Sequence, residues 1–164
     1  MTKIKRGSRV RAEPTGQDSG CSFRCGGIVR FPWWKQQDQR VSKRRLVYVV
    51  DDDPSMLRSV KRLLREHGFE SLLFTTADAF QRHDDFEDGI CVILDIDLND
   101  TSGIDVRRRL TASGISLPVI FITGKDSPAT RMAALASGCL AYLTKPFSAR
   151  SLIAPIQRVS IDIA

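Results

Sequence analysis

The chain has 164 residues, 42% apolar and 27% charged, which suits one globular domain with an appendage and excludes collagen, coiled-coil and low-complexity classes. No apolar run approaches the ~20 residues of a membrane-spanning helix, and the basic start lacks the apolar stretch of a secretory signal. The formal charge of +6 divides unevenly: residues 1–45 carry 12 Lys and Arg against 3 Asp and Glu, a net +9, whereas 46–164 carry 13 against 16, a net −3.

Residues 1–45 show no period of 2 or 3.6 and read as a basic, disordered tail. The alternative is an arm for nucleic acid or an acidic partner, but no recognition motif accompanies it, so nucleic acid is not an expected partner. Val41, just before the composition changes, is also a candidate start encoded by GTG; residues 1–40 would then never be made. Cys21 and Cys25 form C-x3-C without the further ligands a zinc site needs. Cys91 and Cys139 lie in apolar runs and read as small buried hydrophobes. No disulfide framework is visible, which fits a reducing, cytoplasmic setting.

From Leu46 the pattern alternates. Leu46–Val50 is a continuous apolar run, the mark of a strand buried on both faces. Asp53-Pro54 caps a helix with Met56, Leu57, Val60, Leu63 and Leu64 at helical spacing, closed by Gly68. A strand near Phe69–Phe74 follows, then a short helix capped by Thr75 or Thr76, and an acidic loop, Asp84–Gly89. Ile90–Leu94 is the next strand, and Ser102–Ser113 a helix. Pro118–Ile122 is a strand, Ser127-Pro128 opens a helix ending at Gly138, Cys139–Leu143 is the fifth strand, and Ser148 caps the last helix. Pro155 lies inside that helix, where its missing N–H predicts a kink or break. Five β-α units imply a doubly wound α/β fold with a parallel sheet.

Polar residues gather where the strands end: Asp51-Asp52-Asp53, Asp95 with Asp97, Thr123 and Lys145. In open α/β sheets, sites form at the carboxyl ends of strands. Each residue alone has a plain reading as a cap, turn or loop residue. Together they form a crowd of carboxylates that a hard divalent cation would relieve. Mg2+, a lysine and a hydroxyl around a free carboxylate are what phosphoryl transfer to that carboxylate requires.

The segments VVDDDPSM (49–56), ILDIDLNDTSG (93–103), FITG (121–124) and AYLTKPF (141–147) resemble the receiver domain of two-component response regulators, over residues 46–160. The resemblance implies a flavodoxin-like (βα)5 fold, strand order 2-1-3-4-5. It implies Asp95 as phosphoacceptor, forming 4-aspartylphosphate. Asp51, Asp52, Asp95 and the backbone carbonyl of Asp97 would hold Mg2+, Thr123 and Lys145 would bind phosphoryl oxygens, and Thr123 with Tyr142 would form the switch. The implied partner is a sensor histidine kinase or phosphotransfer protein, met in part through helix-one residues Arg58, Lys61, Arg62 and Arg65. The implied activity is that of a switch and not of an enzyme.

Three departures from the family pattern bear on function. Asn99 stands where Pro is usual. Asp97 and Lys125 are expected to pair across the pocket and shield the acyl phosphate. A kinked last helix would disfavour a standard dimer, leaving a monomer or weak dimer. The chain ends near the end of the receiver, so a single-domain regulator is expected. A haloacid-dehalogenase-type phosphatase also uses D-x-D, as in Asp95-Ile96-Asp97, but there D-x-D comes first and the acidic pair last, the reverse of the order here.

Overall fold

A computed structural model describes residues 45–162. The tail, with its cysteines and the candidate start at Val41, lies outside the described residues. In chain order the elements are β1 (Leu46–Val50), α1 (Pro54–Glu66), β2 (Glu70–Phe74), α2 (Ala77–Gln81), β3 (Gly89–Asp95), α3 (Gly103–Ala112), β4 (Val119–Thr123), α4 (Pro128–Ala136), β5 (Ala141–Thr144) and α5 (Ala149–Asp162). The five strands form one parallel sheet in the order β2-β1-β3-β4-β5. The doubly wound fold expected from the sequence is the fold observed.

The strands alternate between two apolar layers. Val47 and Val49 of β1, Ile93 of β3, and Ile120 and Ile122 of β4 pack with Leu57, Val60 and Leu64 of α1 and Leu152 and Ile156 of α5. The intervening Tyr48, Val50, Val92, Leu94, Val119 and Phe121 pack on the other face with Phe80 of α2, Val106 and Leu110 of α3, and Ala134 of α4. Every residue of β3 is buried, which explains the unbroken apolar run Ile90–Leu94 within it. Tyr48 is fully buried in an aromatic cluster with Phe74, Phe80 and Phe86, and its hydroxyl donates to the Asp85 carbonyl at 2.9 Å. That bond gives the tyrosine's one polar atom a partner inside an apolar layer.

Helix starts follow the sequence signals. The Asp53 carboxylate accepts from Ser55 N–H, and Pro54 occupies the first turn. Thr76, not Thr75, caps α2, and Ser102 and Ser127 cap α3 and α4. Ser148 Oγ accepts from Ser151 N–H at 3.1 Å at the start of α5.

Several boundaries differ from the expectation. β2 starts at Glu70, after buried Phe69. β4 starts at Val119 because Pro118 has no N–H for the ladder, although its carbonyl still accepts from Val92 N–H at 2.9 Å. β5 starts at Ala141, where the register sets it opposite Ile120, so Cys139 falls in the connection and is only half-buried. The expected break at Pro155 is absent: α5 runs from Ala149 to Asp162 through it. Pro155 is itself buried, beside buried Leu152, Ile153 and Ile156. Burial of this stretch offsets the lost hydrogen bond.

Cys91 is fully buried in β3, and burial pushes its thiol up to about 12. At pH 8 it is expected to resist alkylation in the folded protein and to react once the chain is unfolded. Peptide mapping by mass spectrometry after iodoacetamide, with and without urea, measures this.

Candidate functional site

The site lies where β1, β3, β4 and β5 end. Asp51 follows β1, Asp95 closes β3, Thr123 closes β4, and Lys145 follows β5. Because the strands are parallel and in register, Asp95 sits opposite Ile122 and Thr123 opposite Thr144. Four distant stretches of sequence thus reach one edge.

Asp51 is fully buried and Asp95 nearly so, at 4% exposure. Two carboxylates so placed need partners, and each has two. The Lys145 ammonium donates to Asp51 Oδ2 at 2.8 Å and to Asp95 Oδ2 at 2.6 Å. The remaining oxygens accept backbone N–H groups: Asp53 N–H to Asp51 Oδ1 at 2.8 Å, and Asp97 N–H to Asp95 Oδ1 at 3.1 Å. Burial pushes the Asp51 carboxyl above its ordinary value, against the opposing pull of Lys145. Burial also works against the charge of Lys145, but hydrogen bonds to the two aspartates outweigh it and hold the ammonium above its ordinary range.

Asp52 is half-buried and completes a group with Asp51 and Asp95 whose carboxylate oxygens lie within 4.8 Å of one another. Lys145 bonds two of the three carboxylates and Asp52 has no ion-pair partner among the described residues, so negative charge remains in excess. An all-oxygen donor set with net negative charge fits Mg2+. The structure therefore brings together Asp51, Asp52, Asp95 and Lys145 as the sequence led one to expect.

Thr123 reaches the same edge, but its hydroxyl is engaged elsewhere. It is fully buried, and Oγ1 donates to Asp97 Oδ2 at 2.8 Å, with the Lys125 carbonyl at 3.0 Å as a second acceptor. Lys125 N–H donates back to Oγ1 at 3.0 Å. The expected Asp97–Lys125 ion pair does not form. The Asp97 carboxylate is taken by Thr123, and Lys125 meets the site only through its backbone while its side chain is exposed to water.

Tyr142 is tied to the loop between β4 and α4. Its hydroxyl donates to Asp126 Oδ1 at 2.9 Å, and the Arg131 guanidinium lies 5.2 Å from the ring centroid. Arg131 also pairs with Asp126 at 2.6 Å. Burial, then the Asp126 hydrogen bond and charge, push the Tyr142 hydroxyl up to about 12. Sequence reading missed this trio, because nothing in the spacing of 126, 131 and 142 marks them as neighbours.

It also missed Gly103. A Cβ there would collide with the Asp95 carbonyl oxygen and press on Ile96. A glycine in the first turn of a helix, where other residues propagate better, was the available signal.

The response regulator receiver domain family matches residues 47–157. The chain belongs to the response regulator receiver family. It is 30% identical over 137 residues to the response regulator protein TmoT of Ectopseudomonas mendocina, covering 84% of this chain and 62% of that protein. It is 39% identical over 113 residues to the sensory transduction protein RegX3 of Mycobacterium tuberculosis, covering 69% of this chain and 49% of that protein. The chain thus spans between about half and three fifths of the length of these relatives. Among solved structures, a CheY-like receiver domain protein from Methanospirillum hungatei superimposes with a TM-score of 0.65 at 26% identity, covering 72% of this chain and 94% of that one. The response regulator StyR gives 0.66 at 34% identity, covering 72% and 60%. Among the described residues, no helix of this receiver is long and apolar enough to cross a membrane.

Gly103→Ala is expected to destabilise the receiver by about 1–3 kcal/mol, since the backbone under Asp95 must shift to admit the methyl group. Urea denaturation, read as a lower midpoint with an unchanged slope, checks this.

Proposed function

We propose that the chain accepts a phosphoryl group on Asp95 from a histidine kinase or phosphotransfer protein and switches a protein-binding surface in response. The observation that carries this reading is Lys145 held between Asp51 and Asp95, at 2.8 and 2.6 Å, on the sheet edge that also holds Asp52. It supports a site where one carboxylate is presented as nucleophile amid cationic compensation.

In this reading an Asp95 carboxylate oxygen attacks phosphorus in line. A P–O bond forms to Asp95 as the P–N bond to the donor's imidazole breaks, and that electron pair stays with the ring nitrogen. Asp51, Asp52, Asp95 and the backbone carbonyl of Asp97 would hold Mg2+, which supplies positive charge against the equatorial oxygens. Lys145 exchanges its bond to Asp95 for one to a phosphoryl oxygen. The Thr123 hydroxyl donates to another, and Tyr142 follows the loop that carries Thr123. The acyl phosphate is formed once per signal, so the chain is a switch and not a turnover enzyme. A cytoplasmic setting goes with this role.

The donor's approach is supported by a groove beside Lys145. It measures 540 Å³ and is lined by Met56, Val60, Leu63, Pro146 and Phe147. Arg58, Lys61, Arg62 and Arg65 are exposed on α1, on the side of the helix away from the groove-lining Met56, Val60 and Leu63. An apolar groove of this kind suits the apolar face of an amphipathic helix.

Acetyl phosphate with Mg2+, read by intact mass, tests the reading. One phosphoryl adduct is expected on the wild type, labile to hydroxylamine, absent from Asp95→Asn and absent when EDTA replaces Mg2+. A folded wild type that takes no adduct from acetyl phosphate or from any histidine kinase would overturn it.

A further inference from the structure

We propose that the Asp97 carboxylate is a latch on Thr123, holding the hydroxyl hydrogen in the resting state and so setting how readily Asp95 is phosphorylated. The inference rests on the reading of Asp95 as phosphoacceptor and adds a regulatory residue to it.

A threonine hydroxyl has one hydrogen to give. Two acceptors face it: Asp97 Oδ2 at 2.8 Å and the Lys125 carbonyl at 3.0 Å. The carboxylate is charged and nearer, so it takes the hydrogen. Thr123 is fully buried while Asp97 is exposed. The bond therefore ties a buried switch group to a residue at the mouth of the site. Asp97 has no other side-chain partner among the described residues, and its N–H is bonded to Asp95 Oδ1 at 3.1 Å, which fixes the backbone from which the latch extends.

A phosphoryl group on Asp95 competes for the same hydrogen. To bind a phosphoryl oxygen, Thr123 must leave Asp97. The incoming dianion also meets the Asp97 charge, two residues along the chain from its point of attachment. Both effects oppose phosphorylation. Neither is needed for folding, because the Lys125 carbonyl satisfies the buried hydroxyl when Asp97 is removed. Asp97 is thus a positioning residue that acts through Thr123.

Full-length wild type, Asp97→Ala and Asp97→Asn, each at saturating Mg2+, are compared in two ways. Initial phosphorylation by acetyl phosphate is expected to rise about 3- to 10-fold in Asp97→Ala, less than a whole hydrogen bond to a charged group supports, because the Lys125 carbonyl still accepts from Thr123. Asp97→Asn keeps an acceptor without the charge and is expected to fall between. In 15N-labelled unphosphorylated protein, the Thr123, Gly124 and Lys125 amides of Asp97→Ala are expected to move toward their positions in beryllofluoride-loaded wild type. A general structural role would not move them in that direction. A rate unchanged in both variants, with these amides unmoved, would overturn the latch alone. A lower rate would also overturn it, by making Asp97 an aid to phosphorylation. A folded wild type that takes no phosphoryl group would overturn the receiver chemistry, and the latch with it.

Discussion

The Lys145 ammonium between Asp51 and Asp95 is the interaction on which the rest of this site depends. A parallel sheet sets the ends of its central strands side by side, and here two of those ends deliver carboxylates into nearly dry protein. Unpaired, they would repel each other and one would take up a proton. Lys145 crosses from the end of β5 to bond both, at 2.8 and 2.6 Å. One lysine cannot balance three carboxylates, so the site remains short of positive charge. That shortage is what would favour a divalent cation there.

The packing below serves that edge. β3 is buried along its whole length and carries Asp95 at its tip. Gly103 lets the start of α3 pass against the Asp95 carbonyl, which braces the same tip from the side. Thr123, by contrast, closes β4 next to a loop, and its hydroxyl is bonded to loop residues and not to the carboxylate cluster. Two hydrogen-bonded groups thus share the edge: Asp51, Asp95 and Lys145 from β1, β3 and β5, and Thr123 of β4 with the Asp97 carboxylate and the Lys125 backbone. In the proposed reading the first group stays in place while Thr123 changes partners.

Much of this was legible in the sequence. Buried parallel strands leave continuous apolar runs, caps leave Asp-Pro and Ser signals, and strand-end placement gathers Asp51, Asp52, Asp95, Thr123 and Lys145. Those are properties of local pattern and topology, which sequence carries directly. What was not legible depends on side-chain reach and relative depth. The Asp97–Lys125 pair was expected from charge, yet a buried hydroxyl claimed the carboxylate and the lysine turned to water. Pro155 was expected to kink or break α5 from its missing N–H, but the helix runs through it, and the burial of its ring was not visible in the residue alone. The Asp126–Arg131–Tyr142 trio joins three elements that only the folded chain brings together.

The central claim is that the carboxylates of Asp51, Asp52 and Asp95 remain short of positive charge in the folded protein. The direct test is the thermal midpoint of the wild type and of Asp52→Asn, each with Mg2+ and with EDTA. A cation that binds only the folded form raises the midpoint. Mg2+ is expected to raise it in the wild type and to have little effect in Asp52→Asn. No rise in the wild type, or an equal rise in both, would contradict the account.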